Sequence, residues 1–359
     1  MTRQITIRPR DDLRALEGYH SPQLDVSVRL NTNESPYPPP PAFVDAWLAA
    51  LRAAPLHRYP DRAASRLRAA VARRLEQPAE RVFCANGSNE VLQTLLLTYG
   101  GPGRRALVFE PTYALHSHIA RITSTTVLTA DRDDRFDIDI DAARARIVSD
   151  RPEVVFLCSP NNPTGTIDPR ATVEAILDVA PGLVVVDEAY GEFAHDSALD
   201  LVGDDVGLVV VRTYSKVWSL AALRLGCCVA AREVVAELDK VVLPYHLDVA
   251  TQAAGIVALE YSAEMDVRVA RLVEERERLF TALGEMDGIT VFPSGANFLL
   301  FRVDGDGHAV WQALVDRGVV VRDFSDWDRV EGCLRVTMGT PEENDTFLAA
   351  LGEALEELP

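Results

Sequence analysis

Between Ala42 and about Ala230 the chain alternates short apolar runs with longer stretches of helical period, and no other feature narrows its architecture as far. The runs at 81–84, 106–109, 154–158, 183–186, 208–211 and 225–230 read as strands, with helical segments such as 91–98 and 171–179 between them. Apolar strands joined through helices argue for an α/β fold: a mostly parallel sheet covered on both faces. After Leu247 the texture changes. Residues 249–283 are helical in period and dense in Arg and Glu, and short strands then follow at 289–292, 297–303, 318–322 and 333–337, with one helix at 308–317. The end is punctuated by Thr340-Pro341-Glu342-Glu343, an N-cap threonine with proline first and glutamate third in the helix. The first forty or so residues are irregular and close on Pro38-Pro39-Pro40-Pro41. The expected division is an N-terminal arm over 1–41, a large domain over 42–244 and a smaller α+β domain over 245–359, which the arm joins.

At 359 residues the chain is long enough for two such domains. A net charge of −18 argues against a nucleic-acid or anionic-membrane partner, although a local pair of arginines can still make a pocket that takes an anion. The five cysteines are odd in number and irregularly spaced in apolar runs, which suits buried reduced thiols. The first eight residues hold no signal-peptide apolar core, and no run approaches a membrane span, so a cytoplasmic location is expected.

Four motifs carry chemistry. Val209-Val210-Val211-Arg212-Thr213-Tyr214-Ser215-Lys216 runs an apolar strand into hydroxyls and a lysine, with Arg224 eight residues on. Upstream stand Ser159-Pro160-Asn161-Asn162-Pro163-Thr164-Gly165 and Val184-Val185-Val186-Asp187-Glu188-Ala189-Tyr190. The turn Ala85-Asn86-Gly87-Ser88-Asn89 between a strand and a helix would aim the backbone N–H groups of Ser88 and Asn89 at a phosphate, although the same turn could be a plain helix cap. A lysine, hydroxyls with an arginine, a strand-end aspartate and an Asn/Tyr pair are together the parts that hold pyridoxal 5'-phosphate.

The order of these motifs resembles the pyridoxal-phosphate aminotransferases of fold type I, and within them the histidinol-phosphate aminotransferases. The resemblance spans nearly the whole chain, from Leu30-Asn31-Thr32-Asn33-Glu34 and Arg58-Tyr59-Pro60-Asp61 to Ser294-Gly295-Ala296-Asn297-Phe298 and Leu334-Arg335-Val336-Thr337. Pro22-Gln23-Leu24-Asp25-Val26 and Leu243-Pro244-Tyr245-His246-Leu247 look like its actinobacterial branch. The resemblance implies that Lys216 is the Schiff-base lysine and proton shuttle, and that Asp187 faces the pyridine nitrogen. It further implies that Asn162 and Tyr190 bond the ring hydroxyl, Tyr113 stacks on the ring, and Ser88, Asn89, Thr213, Ser215 and Arg224 hold the phosphate. Tyr59 would reach the phosphate of a neighbouring subunit in a homodimer. Arg335 and Arg322 would bind the anionic groups of the substrates, with Tyr19 and Asn297 also on the substrate side. Read without the resemblance, either tyrosine could be core and either arginine a surface ion pair.

The implied reaction is transamination between histidinol phosphate, a phosphorylated amino alcohol, and 2-oxoglutarate, giving imidazole-acetol phosphate and glutamate. An aromatic amino-acid aminotransferase and a threonine-phosphate decarboxylase would share the fold. A dinucleotide-binding protein is disfavoured, because no Gly-x-Gly-x-x-Gly follows the early strands. Three places depart from the family pattern: Glu34-Ser35-Pro36, Cys227 after Gly226, and the polar loop Phe324-Ser325-Asp326-Trp327-Asp328-Arg329 close to Arg322. His116 and His118 lack companions at metal-ligand spacing and read as a solvent-facing pair; no metal site is expected. Cys227 and Cys228 would point to opposite faces of one strand.

Overall fold

A computed structural model describes residues 8–14, 16–18 and 23–357. Twelve strands are described: β1 Val28–Leu30, β2 Val82–Asn86, β3 Arg105–Glu110, β4 Thr126–Asp131, β5 Val154–Cys158, β6 Leu183–Asp187, β7 Leu208–Thr213, β8 Leu225–Ala230, β9 Ile289–Val291, β10 Phe298–Val303, β11 Val319–Asp323 and β12 Cys333–Thr337. Seven form one sheet in the order β2-β8-β7-β6-β5-β3-β4, and five form a second in the order β1-β11-β12-β10-β9.

The large sheet is parallel except at β8, which runs antiparallel to both β7 and β2. Its two faces are covered separately. Cys84, Val155, Leu157, Val184, Val186, Val210, Cys227 and Val229 belong to one core. Their alternates Phe83, Ala85, Val154, Phe156, Val185, Val209, Val211 and Cys228 belong to another. A period of two with both sets apolar is what a strand buried on both faces requires. Cys227 and Cys228 thus pack on opposite faces, and all five cysteines are buried and free.

Two strands were not legible beforehand. β4 mixes polar and apolar residues and is half exposed at the sheet edge; six parallel register pairs with β3 make it a strand. β1 is three residues long inside the stretch expected to be irregular, and pairs in parallel with β11, Val28 opposite Val319. The stretch expected to be one helical run after Leu247 is two helices, Val249–Ala258 and Ser262–Gly284, separated by a 3₁₀ turn at Leu259–Tyr261. The final helix, Pro341–Glu357, opens with the expected reciprocal cap: Glu343 N–H donates to Thr340 Oγ1 at 3.2 Å, and Thr340 N–H to the Glu343 carboxylate at 2.8 Å.

Because β5, β6 and β7 are parallel and in register, with Cys158 opposite Asp187 and Asp187 opposite Val211, their C-terminal ends open onto one edge. The helix Gly87–Tyr99 starts at that edge too, directly after β2. Loops at this edge of an open α/β sheet are the usual place for a ligand.

Candidate active site

A cavity of about 200 Å³ opens at this edge. Its walls bring together eleven residues singled out above: Ser88, Asn89, Tyr113, Asn162, Asp187, Tyr190, Thr213, Ser215, Lys216, Arg224 and Arg335.

Lys216 follows β7, a strand with every residue buried, and its Nζ donates to the Thr32 carbonyl oxygen at 3.0 Å. Burial first, then the Arg335 guanidinium, lowers its pKa to about 8, against an opposing pull from Glu34. A lysine so tuned is roughly one-tenth neutral at pH 7, on the order of a hundredfold or more above an ordinary lysine, which favours a nucleophilic amine.

At one end the donors suit a phosphate. Asn86, at the start of the helix Gly87–Tyr99, gives its side chain to Glu90 at 2.8 Å and to the His246 carbonyl at 2.8 Å, so no side chain caps the helix amides. Thr213 Oγ1 donates to Ser215 Oγ at 3.1 Å, and Arg224 Nη1 to the same oxygen at 3.3 Å. Two glycines let these groups approach. A Cβ on Gly87, whose φ is +77°, would lie 2.7 Å from Arg224 Nη2, and a Cβ on Gly226 would lie 2.2 Å from the Ser88 nitrogen.

At the other end stands Asp187, 1% exposed at the end of β6. Its Oδ1 accepts the Ala189 N–H at 3.1 Å and its Oδ2 lies 3.0 Å from His116 Nε2. Here the expectation of two solvent-facing histidines is corrected. His116 is 1% exposed, stacked on Phe156 at 4.8 Å and met edge-on by Tyr113 at 5.4 Å. It lies with Ile119 and Ala120 on the buried face of the helix Ala114–Ile122, a helical spacing that was readable in the sequence. Among the described residues no cluster of His, Cys, Asp and Glu could hold a metal.

Between the two ends, Tyr113 Oη donates to Asn89 Oδ1 at 3.2 Å. Arg335 Nη1 bonds Asn162 Oδ1, and its Nη2 donates to the Asn31 carbonyl at 3.0 Å. A carboxylate and a lysine lining one cavity, with hydroxyls, helix amides free of a side-chain cap and an arginine, fit a flat phosphorylated pyridine aldehyde.

The comparisons point the same way. The model of the family "Aminotransferase class I and II" matches residues 26–351. The chain belongs to the class I and II aminotransferases. Curated relatives include the histidinol-phosphate aminotransferase of Corynebacterium diphtheriae, 48% identical with 97% of this chain and 96% of that protein covered. The one from Thermobifida fusca is 49% identical, with 95% and 94% covered. Among solved structures, the histidinol-phosphate aminotransferase of Sinorhizobium meliloti in complex with pyridoxal-5'-phosphate superposes with a TM-score of 0.89 at 23% identity, covering 99% of each chain. The two-sheet architecture of this aminotransferase is therefore that of fold type I.

Three of the singled-out residues that the structure describes do not line the cavity. Arg322 is buried one strand away, the register partner of Arg335. Asn297 is buried and donates to the Asn33 carbonyl at 3.3 Å. Tyr59 is 78% exposed and stacks on Tyr245 at 4.4 Å. Tyr19 lies outside the described residues. Conversely, Asn31, Thr32 and Asn33 line the cavity; the sequence assigns them no role, because a short stretch in an irregular start carries no periodic signal.

Proposed function

We propose that this aminotransferase carries out the transamination between histidinol phosphate and 2-oxoglutarate in histidine biosynthesis, with pyridoxal 5'-phosphate as cofactor. One juxtaposition carries the reading: adjacent carbonyls on the arm, of Asn31 and Thr32, hold the Arg335 guanidinium and the Lys216 amine on the same cavity wall. An anion-binding group thus stands beside the amine that would hold the cofactor. The near-full-length similarity to histidinol-phosphate aminotransferases supports the substrate.

Pyridoxal phosphate supplies an aldehyde for an amine to join and a ring that takes up electrons from the substrate carbon. Lys216 would hold that aldehyde and, once displaced by a substrate amine, move the proton between substrate and cofactor carbons. Asp187, fixed by the Ala189 N–H and His116, would keep the ring nitrogen protonated. Asn162 and Tyr190 would bond the ring hydroxyl, and Tyr113 would cover the ring. Ser88, Asn89, Thr213, Ser215 and Arg224 would hold the phosphate. Arg335 would take the carboxylate of glutamate and, with Arg322, the phosphate of histidinol phosphate, where planar donors suit both anions. Asn297 and Tyr19 complete the substrate side.

Tyr59 would reach the cofactor phosphate of a second copy, which makes the working enzyme a homodimer. Its exposure is shared by Leu56 at 74% and Leu243 at 76%, apolar surface that suits burial between subunits. The two sheets support the division into an arm (1–41), a large domain (42–244) and a small domain (245–359). No helix among the described residues is long and apolar enough to cross a membrane, and a cytoplasmic location suits a biosynthetic aminotransferase.

The visible spectrum of the purified protein tests the assignment. Histidinol phosphate at low concentration should abolish the band of the lysine-bound cofactor, and phenylalanine should do so much more weakly. A response to phenylalanine with none to histidinol phosphate would transfer the chain to aromatic substrates. Absence of any visible band, with Lys216→Ala changing neither spectrum nor activity, would sink the reading altogether.

A further inference from the structure

Asn33 lies where three parts of the chain meet, and every polar group it owns is used. Its backbone takes the left-handed conformation, φ +56°, which asparagine tolerates. Its N–H donates to Thr337 Oγ1 at 3.0 Å. The Thr337 hydroxyl donates back to Asn33 Oδ1 at 2.9 Å. Asn33 Nδ2 donates to Tyr190 Oη at 2.9 Å, and the Asn33 carbonyl accepts from Asn297 Nδ2 at 3.3 Å. Asn33, Thr337, Tyr190 and Asn297 are all buried.

The direction of these bonds matters more than their number. A backbone N–H can only donate, so Thr337 Oγ1 is an acceptor at that contact and its proton is available for Asn33 Oδ1. With Oδ1 engaged by Thr337, the amide of Asn33 turns its N–H toward Tyr190, whose oxygen is then the acceptor. The Tyr190 proton must go elsewhere, and among the described residues no acceptor takes it; Tyr190 lines the cavity. Burial pushes the Tyr190 hydroxyl above its ordinary range, which keeps that proton in place.

We propose that the Thr337–Asn33 pair is a polarity-setting device that makes Tyr190 a hydrogen-bond donor into the cavity, aimed at an anionic ring oxygen of the cofactor. Asn33 and Thr337 are positioning residues that act through Tyr190. The inference rests on the reading of the cavity as a pyridoxal-phosphate site. A donor at that oxygen stabilises its anionic form and so lowers the pH at which the lysine–cofactor linkage gives up the proton it shares with it.

The test is the pH titration of the visible band of the holoenzyme, without substrate. Tyr190→Phe should raise the midpoint by about one pH unit or more, the size expected from losing a hydrogen bond to a charged group. Thr337→Val, which frees the Asn33 amide to present Oδ1 to Tyr190, should raise it in the same direction. Thr337→Ser, which keeps the hydroxyl, should titrate like the parent and so guards against a packing artefact. Asn33→Asp removes the donor to Tyr190 and should also raise the midpoint. In the Tyr190→Phe background, Thr337→Val should add nothing. Parental midpoints in Thr337→Val and Asn33→Asp, alongside a shifted Tyr190→Phe, would overturn the device and leave the cofactor assignment standing. An unshifted Tyr190→Phe would overturn the placement of Tyr190 and the device with it.

Discussion

Arg322 and Arg335 face each other in register on antiparallel strands, and one ring, Phe324, lies against both guanidinium groups, 5.7 Å from the first and 5.3 Å from the second. Two like charges on neighbouring strands repel, and an aromatic face between them offsets part of that cost. The ring is supplied by the polar loop Phe324–Arg329. That loop is braced by an edge-on contact of Trp327 with Phe324 at 5.0 Å and by an ion pair between Arg329 and Asp131 of β4.

Replacing Phe324 by leucine keeps the apolar volume and removes the ring. The KM for histidinol phosphate should rise about five-fold, with kcat little changed and the KM for glutamate less affected. Steady-state kinetics with both substrates decide it; an equal rise for glutamate would mean that the ring serves Arg335 alone.

The lowered pKa of Lys216 has a stability consequence in protein freed of cofactor. Between about pH 8 and the ordinary lysine value of 10.5, the unfolded chain binds this proton and the folded chain does not, so stability contributed by this site rises with pH across that window. Below pH 8 the buried charge is a net cost. Lys216→Met apoprotein should therefore be more stable than the parent at pH 7 by about 2–3 kcal/mol, a margin that closes by pH 10.5. Denaturant unfolding at the two pH values measures it.

Gly226→Ala should lower stability by about 1–3 kcal/mol, because its Cβ meets backbone that cannot turn aside. It should also weaken cofactor retention, since the atom it displaces is the Ser88 nitrogen. Equilibrium dialysis beside an unfolding curve separates the two effects.

His116→Phe conserves the stacking on Phe156 but removes the second polar partner of Asp187. A loss of about 1–3 kcal/mol in unfolding free energy is expected. A variant as stable as the parent would show that the Ala189 N–H alone satisfies the carboxylate.

What could be read beforehand follows from where order comes from. β5 to β8 are apolar at every position or nearly so, and their burial on two faces is written in their composition. Asp187 ends such a strand, and Lys216 and Asn162 stand three and four residues beyond one, so their motifs could be located, while their roles come only with the family resemblance. β4 and β1 could not: one mixes polar and apolar residues at a sheet edge and is ordered by the neighbouring β3, the other is three residues long and ordered by β11, far along the chain. The same holds for Asn33, whose left-handed turn and bonds to Tyr190, Thr337 and Asn297 have no local signature. His116 is a different failure. Its helical phase is readable in the sequence, but a histidine without metal-ligand companions need not be exposed, and here it packs on Phe156 and bonds Asp187.

The parallel pairing of β1 with β11 joins residues that leave the ribosome almost three hundred residues apart. The seven-stranded sheet is complete by Ala230, whereas β1 finds its neighbour only after Asp323 has been made. The carbonyls of Asn31 and Thr32, together with Arg335 on β12, are thus the last parts of the wall to arrive around Lys216. During synthesis Lys216 is therefore expected to lack its Thr32 partner until β1 and β11 have met, and the setting that tunes its amine is completed only then. Pulsed hydrogen exchange on stalled nascent chains should find β5 to β7 protected before β1.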